Sequence, residues 1–207
     1  MKHSETVFVV DDDPGIRDSL SLLLEQQDIT VKVFDSASAF LAVVGQPEPR
    51  SCAIIDIRMP DMNGLALQAE LTLRGVSLPI IFLTGHGDIP MSVRAIKGGA
   101  INFLTKPVTG HTLLESVYVA LLESDRLNSQ LEVNHSAQAC LQLLTDRERE
   151  VMVLTIEGQT NKDIGRRLGI SHRTVEIHRS HVMHKTGAKT LPDLIRIAAE
   201  AGNSAQH

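Results

Sequence analysis

The first half of the chain is built on short, fully apolar runs that stop abruptly at polar, chemically active residues. Thr6–Val10 reads TVFVV and ends in Asp11, Asp12 and Asp13, and residues 53–55 (AII) end in Asp56 before a loop rich in Pro, Asp, Asn and Gly. Pro79–Thr84 (PIIFLT) ends in a hydroxyl, and Asn102–Thr105 runs into Lys106-Pro107. An uninterrupted apolar run bounded by turn formers marks a strand buried on both faces. Between the runs lie helical signals. Asp13 stands as a cap before Pro14, and Ile16, Leu20, Leu23 and Leu24 follow on one helical face.

With Thr30–Phe34 added, five strands alternate with helices. That alternation predicts a five-stranded parallel sheet with helices on both faces. Ser36 opens the second helix through Ala39, Phe40 and Val43, and Gly45–Arg50 is a polar loop. Gly64–Arg74 is the third helix, GHGD is the loop after the fourth strand, and Pro90–Lys97 is the fourth helix, closed by Gly98-Gly99.

Open sheets of this kind keep their ligand crevices at the carboxyl ends of the strands. There the sequence gathers Asp11 and Asp12, Asp56, Thr84 and Lys106 from four different strands. Crowded carboxylates raise one another's pKa values. A hard divalent cation such as Mg²⁺ relieves that repulsion. A carboxylate nucleophile, a hydroxyl and an ammonium around such an ion are the parts of a phosphoryl-transfer site. Each residue alone reads more simply as a turn cap or a surface charge. The set at one sheet edge does not.

The motifs VVDDDPG, IIDIRMPDMNG, FLTGHGD and INFLTKP, in that order, resemble the receiver domain of two-component response regulators over roughly residues 5–125. The resemblance implies a flavodoxin-like α/β fold in which Asp56 accepts a phosphoryl group from a sensor histidine kinase. It implies Mg²⁺ held by Asp11, Asp12 and Asp56 with the backbone carbonyl of Arg58, and Thr84 and Lys106 acting on the phosphoryl group. It further implies a cis bond before Pro107 and an aromatic switch at Phe103 that follows Thr84.

Charge separates the halves. The net charge of the chain is −5. Residues 1–125 hold 9 Lys+Arg against 16 Asp+Glu, while residues 126–207 hold 11 against 9. Within Thr160–Lys189 there are 7 basic and 2 acidic residues, a segment suited to a polyanion. Leu114, Val117, Leu121, Ser124, Leu127 and Leu131 form a stripe at helical spacing with one polar interruption. It predicts that the last receiver helix continues outward as a helical linker. A separate polar loop around Asn128–Ser136 is the alternative.

Beyond it, Thr145-Asp-Arg-Glu148 is a capping box, with Thr160–Asp163 and Thr190–Asp193 as weaker versions. The first helix turns Val151, Leu154 and Thr155 inward and ends near Gly158. The second runs Asn161–Leu168 and is broken by Gly169, and Ser171 caps a third that carries Val175, Ile177, Val182 and Met183. Two short helices about a glycine turn are a helix-turn-helix, whose second member enters the major groove. Lys162, Arg166 and Lys185, on or near helix ends, are expected at phosphates. Arg173, Glu176, Ile177 and Arg179 are expected at base edges, with Asn161, Thr174, His178 and Ser180 in the same interface. Four histidines (172, 178, 181, 184) crowd this helix and His178 and His181 sit one turn apart, but no Cys or carboxylate completes a metal site.

LTDREREVMVL, GQTNKDIGRRLGIS and HRTVEIHRSHVMHKTGA resemble the LuxR/NarL family of DNA-binding domains over about residues 140–203, and residues 174–185 narrow the likeness to the FixJ-type branch. The resemblance implies a receiver at 1–125, a helical linker at 126–140 and an all-α helix-turn-helix domain at 141–207. It also implies promoter DNA and RNA polymerase as partners, and a homodimer formed on phosphorylation.

Two rival readings meet contrary residues. An aspartate-nucleophile phosphatase with a helical cap needs a second Asp two residues after the nucleophile, where this chain has Arg58. A small-molecule-sensing LuxR regulator needs an apolar pocket rather than the acid/Thr/Lys set. Two cysteines make no disulfide framework, and no apolar run reaches the length of a membrane span. The amino terminus lacks the pattern of a signal peptide, so a reducing cytoplasmic setting is expected.

Overall fold

The computed structural model describes residues 5–45, 50–85 and 89–202. The greater part of the expected GHGD loop (86–88) and of the 45–50 loop (46–49) lies outside them. Contacts divide the chain into two compact units, 1–128 and 129–207.

The first unit runs β1 (Thr6–Val10), α1 (Pro14–Glu25), β2 (Thr30–Phe34), α2 (Ala37–Val43), β3 (Ser51–Ile55), α3 (Gly64–Leu73), β4 (Ile80–Thr84), α4 (Ile89–Lys97) and β5 (Asn102–Thr105). All pairings are parallel, in the order β2-β1-β3-β4-β5. That order is the flavodoxin-like one, with its topological switch point between β1 and β3. Alternation along each strand divides the core in two. Phe8, Val10, Ala53, Ile55, Ile80 and Phe82 pack with Phe40, Leu67, Leu71 and Ala95 from α2, α3 and α4. Val7, Val9, Cys52, Ile54, Ile81 and Leu83 pack on the other face with Leu20 and Leu24 of α1. Leu113, Val117 and Leu121 complete that face from α5 (Gly110–Gln142). Every residue of β1, β3 and β4 is buried, as the unbroken apolar runs require. The edge strands β2 and β5 are only partly covered.

The caps follow the sequence signals. Asp13 Oδ1 accepts from Gly15 and Ile16 at the start of α1, and Ser36 and Asn63 cap α2 and α3. Helix α5 has 33 residues and runs unbroken across the division between the units, so no separate loop interrupts it at 128–136. At 1.5 Å per residue its length is about 50 Å. Its one polar interruption is structural. Buried Ser124 accepts from the amide of Ser51 at 3.0 Å and satisfies the first residue of β3.

The second unit holds the end of α5 with α6 (Asp146–Ile156), α7 (Asn161–Leu168), α8 (His172–Thr186) and α9 (Leu191–Gly202). One cluster joins Leu144, Met152, Val182, Ala188 and Leu194, and a second joins Val151, Leu154, Ile164 and Val175. Thr155 is buried as expected, whereas Ile177 is 46% exposed and faces away from both clusters. Both cysteines are free, and burial pushes the Cys52 thiol up to about 12. No helix among the described residues is long and apolar enough to cross a membrane.

Candidate functional site

The strand ends of the first unit converge because the backbone ties them together. The Asp56 amide donates to Val10 O at 2.8 Å, and the Lys106 amide donates to Thr84 O at 2.8 Å. These bonds hold the ends of β1 and β3, and of β4 and β5, level with one another. Lys106 Nζ then reaches Asp11 Oδ2 at 2.6 Å and Asp56 Oδ1 at 3.0 Å. The other oxygens are also engaged. Asp11 Oδ1 accepts from the Asp13 amide at 3.0 Å and Asp56 Oδ2 from the Arg58 amide at 2.5 Å. Asp11, Asp56 and Thr84 are buried, Asp12 and Arg58 are exposed, and Phe103 is half-buried against the core.

Electrostatics follow from this burial. Loss of water raises the Asp11 carboxyl above its usual range, and Lys106 only partly offsets it. Burial works against the Lys106 charge, but its two carboxylate partners outweigh it and hold the ammonium above its ordinary value. The ammonium thus offsets part of the cost of holding the buried Asp11 charge beside Asp56. Among the described residues no three His, Cys, Asp or Glu side chains already form a closed ligand set. Two carboxylates at a switch point, an exposed third and a backbone carbonyl nonetheless fit Mg²⁺, which binds few protein oxygens and keeps several waters. The Lys106-Pro107 bond is cis, as the motif implied.

Gly64 is needed here for a reason the sequence reading did not contain. A Cβ at that position would lie 2.5 Å from Asp56 O and 3.1 Å from Ile57 Cα. Only glycine lets the start of α3 close on the loop that carries Asp56.

The second unit builds a different surface. Thr160 caps α7, Gly169 ends it in the left-handed conformation, and Ser171 caps α8. A Cβ on Gly165 would come within 2.7 Å of Ile170 O, so glycine sets how closely the turn folds back on α7. Thr160, Asn161, Lys162, His172 and Arg179 line a groove of about 680 Å³ between the two helices. Asn161 Oδ1 accepts from Arg179 at 2.6 Å and aims the guanidinium. Arg173 and Glu176 pair at 3.1 Å, and Arg166 lies 3.6 Å from Asp163. Thr174 shares a hydroxyl contact with Ser171, Ser180 is exposed and His178 is half-buried.

Lys185 is placed otherwise than expected. It donates to Glu148 Oε2 at 2.7 Å instead of standing free for a phosphate. Glu148 is buried, accepts from the Thr145 amide at 2.8 Å, and lies 3.5 Å from His181 Nδ1. The lysine and the capping amide hold its carboxyl well below the usual range, at about 2. The capping box was legible, but the same glutamate's grip on α8 was not.

Comparison with known proteins matches both units. The model of the response regulator receiver domain matches residues 7–118, and that of the bacterial regulatory proteins of the luxR family matches residues 142–198. Nodulation protein W of Bradyrhizobium diazoefficiens is 43% identical over 202 residues, covering 97% of this chain and 88% of that one. The transcriptional regulatory protein FixJ of Azorhizobium caulinodans is 41% identical, covering 98% and 95%. Among solved structures, the response regulator StyR has a TM-score of 0.80 at 41% identity, covering 95% of this chain and 99% of that one.

Proposed function

The chain belongs to the two-component response regulators that join a receiver to a LuxR-family DNA-binding domain, and from that premise we propose the residues through which it works. The membership leaves the phosphatase reading without support. Asp56 is the phosphoryl acceptor, and a sensor histidine kinase is the physiological donor. The observation that carries this is the single ammonium of Lys106 within hydrogen-bond reach of both Asp11 and Asp56.

A carboxylate oxygen of Asp56 attacks phosphorus, the bond from phosphorus to the donor's histidine nitrogen breaks with its electron pair left on that nitrogen, and Lys106 balances the charge that arrives. Asp11, Asp12, Asp56 and the Arg58 carbonyl would hold Mg²⁺, which would supply neutralisation of charge on the phosphoryl oxygens. The Thr84 hydroxyl closes on the phosphoryl group, and Phe103 follows it inward. That difference between states is what lets a phosphoryl group shift an equilibrium. The exposed side chains of Ile89, Val93 and Ile96 on α4 support a dimer face formed in the phosphorylated state.

In the second unit α8 reads the major groove. Lys162 and Arg166 meet phosphates. Arg173, Glu176, Ile177 and Arg179 meet base edges, with Asn161, Thr174, His178 and Ser180 around them. Receiver 1–125, linker 126–140 and reader 141–207 remain our division of labour. RNA polymerase is the downstream partner, and the cytoplasm is the setting. The relatives named for nodulation and for FixJ support transcriptional control as the output. The test is phosphorylation by acetyl phosphate with Mg²⁺, followed on phosphoprotein gels. Wild type is labelled and Asp56→Asn is not; equal labelling of both removes Asp56 from this role.

A further inference from the structure

Arg50, directly before β3, stands in the left-handed region with a φ of 58°. Glycine takes that conformation freely, and an L side chain takes it only at a cost. The arginine side chain makes two defined contacts from there. Its Nε lies 2.9 Å from Glu5 Oε1, and its Nη1 lies 3.3 Å from Asp125 Oδ2 on α5. The next residue reaches the same helix, since the Ser51 amide donates to Ser124 Oγ at 3.0 Å. Stability does not account for the arginine. Its side chain is 37% exposed and that of Asp125 43%, and ion pairs so open to water add little to folding. The backbone conformation takes away a comparable amount. Strain of this kind persists where the surrounding structure holds it in place, and it gathers at working parts of proteins.

These contacts tie β3 to α5 at a second point. At the carboxyl end of the strand the tie is Asp56 with Lys106, at 3.0 Å, and Lys106 lies just before α5 begins at Gly110. At the other end, about 16 Å along the buried strand, it is Arg50 and Ser51 with Asp125 and Ser124. A phosphoryl group on Asp56 brings charge within reach of the Lys106 ammonium and alters the first tie. The second lies more than a screening length away and stays as it is. A helix displaced at its start turns about a point pinned farther along; without the pin it slides and keeps its direction. The two arms are nearly equal, about 21 Å from Gly110 to Ser124 and about 27 Å from Ser124 to Gln142. A displacement at the site end therefore returns at similar size at the far end of α5.

We propose that Arg50 is a positioning residue: its clasp on Asp125, beside the bond from Ser51 to Ser124, is the fulcrum about which phosphorylation of Asp56 redirects α5. The proposal rests on Asp56 as acceptor and DNA binding as output. Its test uses the full chain with Mg²⁺ and acetyl phosphate. Three quantities are read: labelling, melting temperature, and affinity for promoter fragments recovered by chromatin immunoprecipitation. Arg50→Gly removes the guanidinium and suits the backbone. It should melt within about 4 °C of wild type and label at the wild-type rate. Its gain in affinity on phosphorylation, about tenfold or more in wild type, should fall to about threefold or less. Asp125→Ala should reproduce that loss from the helix side, and the double variant should lose no more than either alone, because all three break one contact. A full gain in Arg50→Gly, or losses that add in the double variant, overturns the fulcrum. So does a loss that merely tracks a fall in melting temperature or labelling. Asp56→Asn, run in parallel, separates the two ideas. Labelling of that variant refutes the acceptor assignment and the fulcrum with it, whereas an unlabelled Asp56→Asn beside a full gain in Arg50→Gly refutes the fulcrum alone.

Discussion

Replacing Glu148 with glutamine keeps the shape and the capping box but removes the charge that holds Lys185. The structure sets the size of the effect. A carboxyl at about 2 rather than 4.5 contributes up to about 3 kcal/mol at neutral pH. The Lys185 side chain is 33% exposed, and water around it brings the working figure to about 1–2 kcal/mol. The folded value lies below the unfolded one. The stabilisation is therefore complete above about pH 4.5 and is lost as the pH falls towards 2. The assay is urea unfolding of the full chain, read at the α8 amides by NMR, from pH 7 down to pH 3. Glu148→Gln should be less stable by about 1–2 kcal/mol at pH 7, and the gap should shrink below pH 4.5. Equal stability at pH 7, or a gap that does not move with pH, would refute the ion pair as the anchor of the reading helix.

Gly165→Ala should cost about 1–3 kcal/mol through the overlap with Ile170 O, seen as a lower melting temperature with weaker DNA binding. Lys162→Ala should weaken specific and random duplexes alike and lower the salt slope by about one. Arg179→Ala, by contrast, should cost roughly 1–3 kcal/mol on the specific site and little on random DNA. Sedimentation should detect a dimer only with phosphodonor present, and Val93→Glu on the exposed face of α4 should abolish it.

The strands were legible because burial on both faces leaves nothing but apolar residues between two turns, as in β1, β3 and β4. The helix starts were legible because caps are local, and Thr145, Thr160 and Ser171 each cap the helix expected of them. Two contacts were hidden because each depends on a distant partner, and a third because it is a close approach made only in the folded loop. Glu148 reads as an exposed cap until α8 brings Lys185 to it across 37 residues. Ser124 breaks an apolar stripe until the Ser51 amide, 73 residues away, explains it. Gly64 looks like turn punctuation, and its close approach to Asp56 O exists only after folding. The convergence of Asp11, Asp56 and Lys106 was within reach because topology puts every parallel strand's carboxyl end on one edge.

Coupling between Asp56 and the DNA-reading helix is what a regulator of this kind requires. The most direct measurement is the affinity of the full chain for promoter fragments recovered by chromatin immunoprecipitation, with and without acetyl phosphate and Mg²⁺. Wild type should bind at least about tenfold more tightly when phosphorylated, within the usual range of coupling between sites, while Asp56→Asn binds at the lower affinity under both conditions. Equal tightening in Asp56→Asn, or none in wild type, would contradict it.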